Sequence, residues 1–156
     1  MDQKYQFWGE FEHTLDPKGR IIIPSKYREP LGNHVYLIKS WDKECIALFR
    51  RNVWENMMQE YLSQTNLFDE EEQEFKRLLA SSVEDQEVDK QGRVFIPQKL
   101  REYAGIESSV TILGVHDHLE IWNPEKWQKE KEKKPIKELA RQVEGRLKGA
   151  YTRPSG

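Results

Sequence analysis

Leu15-Asp16-Pro17-Lys18-Gly19-Arg20-Ile21-Ile22-Ile23-Pro24 returns 73 residues later as Val88-Asp89-Lys90-Gln91-Gly92-Arg93-Val94-Phe95-Ile96-Pro97. The same offset joins Lys26, Arg28, Glu29 and Gly32 to Lys99, Arg101, Glu102 and Gly105. It also joins Leu48, Phe49 and Trp54 to Ile121, Trp122 and Trp127. Between those blocks the second copy gains two residues around Ile106 to Ser109 and loses two near His116. Two copies are too few for a solenoid, which needs three or more. The repeat instead predicts a pseudo-twofold domain in which each copy completes the other.

Each copy has the same local grammar. Glu10 to Leu15 alternates polar and apolar, as a half-buried strand does. Asp16-Pro17-Lys18-Gly19 matches a type I turn, with Asp first, Pro second and Gly fourth. Arg20 to Ile23 resumes as a short strand that Pro24 ends, and Pro24 can open a helical turn because its missing N–H is not needed there. Gly32 closes that turn, and Val35 to Ile38 and Cys45 to Phe49 predict two more strands. Val110 to Val115 and Leu119 to Trp122 match them in the second copy.

Helices follow each set of strands. Asn52, with Glu55 three residues on, predicts an N-cap for a helix carrying Trp54, Met57, Met58, Tyr61 and Leu62 on one face. That stripe is read as core packing. Asp69 and Glu72 form a second capping pair ahead of Phe75, Leu78 and Leu79. Asn123-Pro124 opens a helix after the second copy, and Pro135 opens a last one striped with Ile136, Leu139, Ala140, Val143 and Leu147. The organisation is a first repeat over 1–54, linking helices over 55–81, a second repeat over 82–127 and a basic, partly disordered helical tail over 128–156.

Composition narrows the class. An apolar fraction of 37% against a charged fraction of 33% supports a compact but shallow core. Five Trp residues are many for this length and suit core anchors or subunit contacts. The single Cys45 flanks an apolar run and is read as a buried, inert thiol. No stretch approaches the roughly 18 apolar residues of a membrane span, and Met1 to Trp8 lacks an apolar signal core. The expected setting is a reducing cytoplasm. The formal net charge of −2 hides an uneven distribution. Residues 125–156 carry ten Lys or Arg against five Glu, so a tail of +5 follows a body of −7. The acidic run Asp69 to Glu74 reads as a solvated face near a helix start, poorly suited to phosphates.

Within the acidic body, Asp16 to Arg28 and Asp89 to Arg101 are each basic islands of +3. Asp16, Gly19, Asp89 and Gly92 form the turns; Arg20 and Arg93 leave them. An Arg fork can bond guanine O6 and N7 or grip a phosphate. Lys18, Lys26, Arg28, Lys90, Lys99 and Arg101 lie close enough in sequence to contact phosphates. The competing structural reading is an Asp–Arg pair closing each turn, and the repetition favours function. Other chemistry is thin. His116-Asp117-His118 has no Cys pair or third His near it in sequence, so no metal is expected, and no cofactor. The chain has no phosphate-binding Gly-rich loop, nucleophile elbow or HExxH, so it is not expected to be an enzyme.

At these residues the sequence resembles the MraZ family of bacterial regulators. The likeness covers about residues 7–130: Gly9-Glu10-Phe11-Glu12-His13-Thr14-Leu15, both Asp-x-x-x-Arg turns with their trailing Ile-Pro, and Gly114-Val115-His116-Asp117-His118-Leu119-Glu120-Ile121-Trp122. The resemblance implies an α+β chain with a mostly β core, an AbrB-like swapped-hairpin barrel made from the two tandem repeats, with flanking helices. It implies ring-shaped homo-oligomers that bind direct repeats in double-stranded promoter DNA, upstream of the division and cell-wall gene cluster, and usually restrain its transcription from the nucleoid. Arg20 and Arg93 would carry the DNA contact. Neither a membrane nor a small-molecule substrate is expected as a partner. Pro30 departs from the pattern and is expected to shorten the first copy's helical turn. The basic tail beyond Lys134 is not covered. The reading set against DNA binding is an oligomeric scaffold acting through protein contacts.

Overall fold

The computed structural model describes residues 6–147. The first copy supplies β1 (Phe7–Thr14), β2 (Arg20–Ile22), α1 (Ser25–Leu31), β3 (His34–Lys39) and β4 (Ile46–Arg50). A helical pair, α2 (Arg51–Gln64) and α3 (Glu70–Ser82), leads to β5 (Glu84–Glu87), β6 (Arg93–Phe95), α4 (Gln98–Ala104), β7 (Ser109–His116) and β8 (Leu119–Trp122). Beyond them come α5 (Pro124–Lys133) and α6 (Ile136–Arg146). The chain divides after Pro124 into two compact units. The fold is α+β, as the resemblance implied.

Six strands form one antiparallel sheet in the order β1-β7-β8-β4-β3-β5, and β2 and β6 form a separate two-stranded ribbon. The copies exchange their first strands: β1 pairs with β7, and β5 pairs with β3. Two ladders join equivalent strands directly. Ile21 faces Val94 at the centre of the ribbon, and Ala47 faces Glu120 at the centre of the β4–β8 pair. Each facing pair occupies equivalent positions in the two copies, so a pseudo-twofold axis passes through both ladders. Hydrogen bonds do not close a barrel. Among the described residues β1 and β5 remain edges of the large sheet and the ribbon stays apart from it. The Asp turns break each first strand from the next. Pro24 and Pro97, which lack an N–H, end the ribbon strands almost at once.

The core obeys the same symmetry. Ile21, Ile23, Tyr27 and Leu31 are buried with Val94, Ile96, Leu100 and Ala104 as counterparts at the 73-residue offset. Val35 and Leu37 match Val110 and Ile112 two residues further along, and Ile46 and Leu48 match Leu119 and Ile121 at the original offset. The insertion and deletion thus fall where the sequence put them. Each fully buried aliphatic side chain stabilises the fold by about 1.5–3 kcal/mol. On the other sheet face Ile38, Ala47 and Phe49 pack against Trp54 of α2 and Leu79 of α3, with Met57 and Met58 partly covered. The predicted core stripe therefore holds for the first turns of α2 and fails at Leu62, which is exposed.

Three local expectations need correction or confirmation. Asn52 is not an N-cap: β4 runs straight into α2, leaving Arg50 at the cap position and Asn52 inside the helix. Asp69 does cap α3, its side chain accepting from the Glu72 amide at 3.0 Å. Pro30 does not shorten α1, which has seven residues, as has α4. It stands in the last turn, one residue before the helix ends, so its missing N–H and its ring affect the helix only at its end. In the second unit, α6 follows Pro135 as expected, and its apolar stripe from Ile136 to Leu147 is exposed. The remainder of the predicted tail lies outside the described residues. Among these residues no helix is long and apolar enough to cross a membrane.

Candidate nucleic-acid interface

The two Asp turns are built alike, bond for bond. Asp16 Oδ1 accepts from the Lys18 and Arg20 amides, both at 2.9 Å, and the Gly19 amide donates to the Asp16 carbonyl at 3.0 Å. Asp89 Oδ1 accepts from the Gln91 and Arg93 amides at 2.9 Å, and the Gly92 amide donates to the Asp89 carbonyl at 2.9 Å. Each Asp then takes its own Arg from the side. Arg20 Nε donates to Asp16 Oδ2 at 2.7 Å, and Arg93 Nε donates to Asp89 Oδ2 at 2.8 Å. The Arg backbone amide does most to hold each carboxyl below the ordinary carboxylate value; burial pushes the other way, and the guanidinium and the Lys18 or Gln91 amide add to the lowering. The structural reading of the pair is therefore true of the geometry. The pair engages Nε, which leaves the two terminal guanidinium nitrogens outside that contact.

The turns are locked across the axis. Ile23 donates its amide to the Gly92 carbonyl at 2.8 Å, and Ile96 donates to the Gly19 carbonyl at 2.9 Å. Gly19 and Gly92 both have φ of +81°, the left-handed region that glycine enters without a Cβ penalty. A Cβ on Gly92 would come within 2.3 Å of Arg28 Nε, whereas one on Gly19 would meet Arg101 only at 3.4 Å. Each copy's helix arginine thus lies against the other copy's turn. Arg28 Nε donates to the Ile23 carbonyl at 3.0 Å and Arg101 Nε to the Ile96 carbonyl at 2.9 Å.

The other predicted basic residues separate by role. Lys18 and Lys90 are exposed on the turns, although Lys18 is equivalent to Gln91 and Lys90 to Pro17. Lys26 Nζ sits 5.0 Å from the Phe11 ring centroid and 5.4 Å from that of Tyr27. Lys99 Nζ instead pairs with Glu84 Oε2 at 2.7 Å and donates to the Ser81 carbonyl.

Two features escaped the sequence reading. Ile22 and Phe95 stand on the outer side of the ribbon beside the arginines, a placement that the two-residue alternation around Ile21 and Val94 would have given. A polar network also surrounds β8. His118 stacks on Phe49 with ring centroids 4.9 Å apart, and its nitrogens meet Asp117 at 2.8 Å and Glu120 at 3.2 Å. Trp122 Nε1 donates to the other Glu120 oxygen at 2.9 Å. Among the described residues no group of three or more His, Cys, Asp or Glu is arranged to hold a metal ion. Burial pushes the Cys45 thiol far up, so it stays protonated and unreactive.

A family model described as "MraZ protein, putative antitoxin-like" matches the chain twice, over residues 6–78 and 79–147. Relatives named "Transcriptional regulator MraZ" include one from Caldicellulosiruptor bescii, 45% identical over 122 residues that cover 78% of this chain and 84% of the relative. Others come from Acetivibrio thermocellus, 43% identical, and Roseiflexus castenholzii, 40% identical, each with the same coverage. A solved structure, "The solution structure of PHS018 from pyrococcus horikoshii", covers 71% of this chain and 94% of its own at 19% identity with a TM-score of 0.30, too slight a likeness to bear on the fold. A duplicated, axis-related α+β unit with these relatives is a transcriptional regulator, a class that is not an enzyme class. More narrowly, the chain belongs to the MraZ family.

Proposed function

We propose that this chain is a sequence-specific DNA-binding regulator that acts as a homo-oligomer on direct repeats in the promoter of the division and cell-wall gene cluster, restraining its transcription. It works in the cytoplasm, on the nucleoid. One observation carries the reading: the two arginines are presented by turns with matching hydrogen bonds, related by the pseudo-twofold axis, at the ends of one ribbon. An Arg whose Nε is already held by a carboxylate has lost part of its rotamer freedom before binding, so less is lost on contact. Its terminal nitrogens remain to bond a base edge or a phosphate. Lys18 and Lys90 flank the ribbon with unspecific charge. Exposed Leu62 and Leu78 on the α2–α3 pair, with Leu67 and Phe68 in the loop between them, give apolar surface for subunit contact.

The test is the double substitution Arg20→Ala plus Arg93→Ala, measured on operator and scrambled duplexes at two salt concentrations. Each base-reading Arg is expected to contribute about 1–3 kcal/mol of discrimination, so preference for the operator should vanish while circular dichroism and light scattering report an unchanged, oligomeric fold. Lys18→Ala or Lys90→Ala should weaken binding to both duplexes and flatten the salt slope by about one unit. A double Arg variant that prefers the operator as strongly as the wild type assigns the turns to structure alone. Salt-insensitive binding of a protein partner, with no DNA binding, would favour the scaffold reading.

A further inference from the structure

We propose that Ile22 and Phe95 are specificity-determining residues that read thymine methyl groups in the major groove, one on each side of the ribbon's axis. The inference rests on the DNA-binding reading above and extends it to two residues that carry no charge. In the ribbon Ile21 and Val94 point into the core and are fully buried, so Arg20, Ile22, Arg93 and Phe95 share the opposite, outer side. The register sets Arg20 across from Phe95 and Ile22 across from Arg93. Each arginine therefore has one large apolar side chain as its direct cross-strand neighbour, with Cβ atoms about 4.5–5.5 Å apart.

Ile22 is 45% exposed and Phe95 is 41% exposed. Neither is needed to cover the core, which Ile21 and Val94 already seal. A solvated ribbon face is served as well by Thr or Lys, and neither Ile22 nor Phe95 belongs to the buried core. The B-DNA major groove is about 12 Å wide and admits a two-stranded β-ribbon. In that groove the thymine C5-methyl is the one apolar group on a base edge, and apolar side chains contact it. The arginines and turn lysines supply the positive charge that brings this face to a duplex. Phe95 also lies over the first copy's turn, its ring edge 3.2 Å from where a Gly19 Cβ would stand, next to the loop that carries Arg20. Because one reader is Phe and the other Ile, the two sides of a pseudo-symmetric probe are unlike in size. The pair then gives a direction along the DNA that the two arginines alone cannot give.

The experiment uses the full-length chain and the duplex it selects from a random pool. Each thymine of that duplex is replaced in turn by deoxyuridine, which removes only the methyl. At one or more positions the wild type should lose about fourfold in affinity, the equivalent of about 0.8 kcal/mol for one buried carbon. Phe95→Ala should bind the unmodified duplex about tenfold more weakly and become indifferent to one of those methyls, while Phe95→Leu keeps most of both. Ile22→Ala should become indifferent to a different methyl. Both positions are partly exposed, and melting curves of the variants are the check that they fold. If no sequence is selected, the DNA reading fails and this inference with it. If a sequence is selected but methyl removal is silent, or the alanine variants keep the wild-type methyl pattern, the two residues are not readers while the DNA reading stands.

Discussion

The two copies reach one core by unlike means, and their first strands differ most. β1 has eight residues and β5 has four. Phe7 and Phe11 of β1 meet the Tyr27 ring edge-on at 5.3 and 5.4 Å. The residue equivalent to Phe11 is Glu84, and β5 reads Glu84-Asp85-Gln86-Glu87, without an apolar side chain. Equivalent lysines address these equivalent positions: Lys26 lies over Phe11, and Lys99 pairs with Glu84. One end is thus closed by aromatic packing and a cation–π contact, the other by an ion pair on an acidic edge strand, where charge discourages further strand pairing. Around the axis the buried core positions match between the copies; the first strands, and the β4 and β8 positions that alternate with those core residues, do not. The symmetry is enforced where each copy's side chains are the other copy's packing partners.

The comparison breaks most severely if the shared core is not shared. Leu37→Ala and Ile112→Ala remove equivalent, fully buried side chains. Each should destabilise by about 2–5 kcal/mol, in a single cooperative transition and by similar amounts. Chemical denaturation reads this directly. A biphasic curve in either variant, with one copy surviving the loss of the other, would show that the copies fold separately.

The turns should reveal a difference hidden by their matching hydrogen bonds. Gly92→Ala combines a left-handed backbone with a clash on Arg28, whose Nε is fixed to the Ile23 carbonyl. Gly19→Ala has the same backbone strain, but its nearest neighbour is the exposed Phe95 ring, which can move. The expected costs are about 2–4 kcal/mol for Gly92→Ala and about 1–2 kcal/mol for Gly19→Ala. Equal losses would mean that Arg28 yields as easily as Phe95.

The sequence disclosed the near-axis part of the molecule and little of the rest, for a physical reason. Duplication displays itself wherever both copies must satisfy the same packing, so the short strands after each turn, the turns and the two-residue insertion were all legible. The exchange of β1 and β5 was not, because partner choice between antiparallel strands leaves no mark on either strand's own periodicity; only the family resemblance supplied it. Barrel closure was overestimated, since the ribbon residues read as strand whether or not the ladders join. Asn52 misled because capping chemistry is judged from local residue type, while the helix start was set two residues earlier by β4. Among site residues, the arginines stood out by charge and repetition. Ile22 and Phe95 were taken for ordinary strand residues, although the two-residue alternation around Ile21 and Val94 would have set them outward.

The smallest expected effect concerns β8, where the second copy places His118 and Glu120 at the positions that Cys45 and Ala47 hold in the first. Burial by itself would lower the His118 proton affinity, but the Glu120 and Asp117 carboxylates outweigh it and the net direction is up from 6.5. Burial likewise opposes ionisation of Glu120, yet hydrogen bonds from His118 and Trp122 hold it below 4.5. A raised imidazole contributes stability that is fully present below its ordinary value and is lost as pH rises through the raised one. Wild-type stability should therefore decline as pH is taken from about 6 upward through neutrality, with a melting shift of at most about 2–4 °C. His118→Gln keeps polar groups against the same carboxylates and removes the titration, so its melting temperature should be flatter over that range. The first copy offers no counterpart, because the buried Cys45 thiol remains protonated throughout. Parallel melting profiles for wild type and His118→Gln would show that the imidazole is not charged in the folded chain, and the asymmetry between the two copies would then be one of packing only.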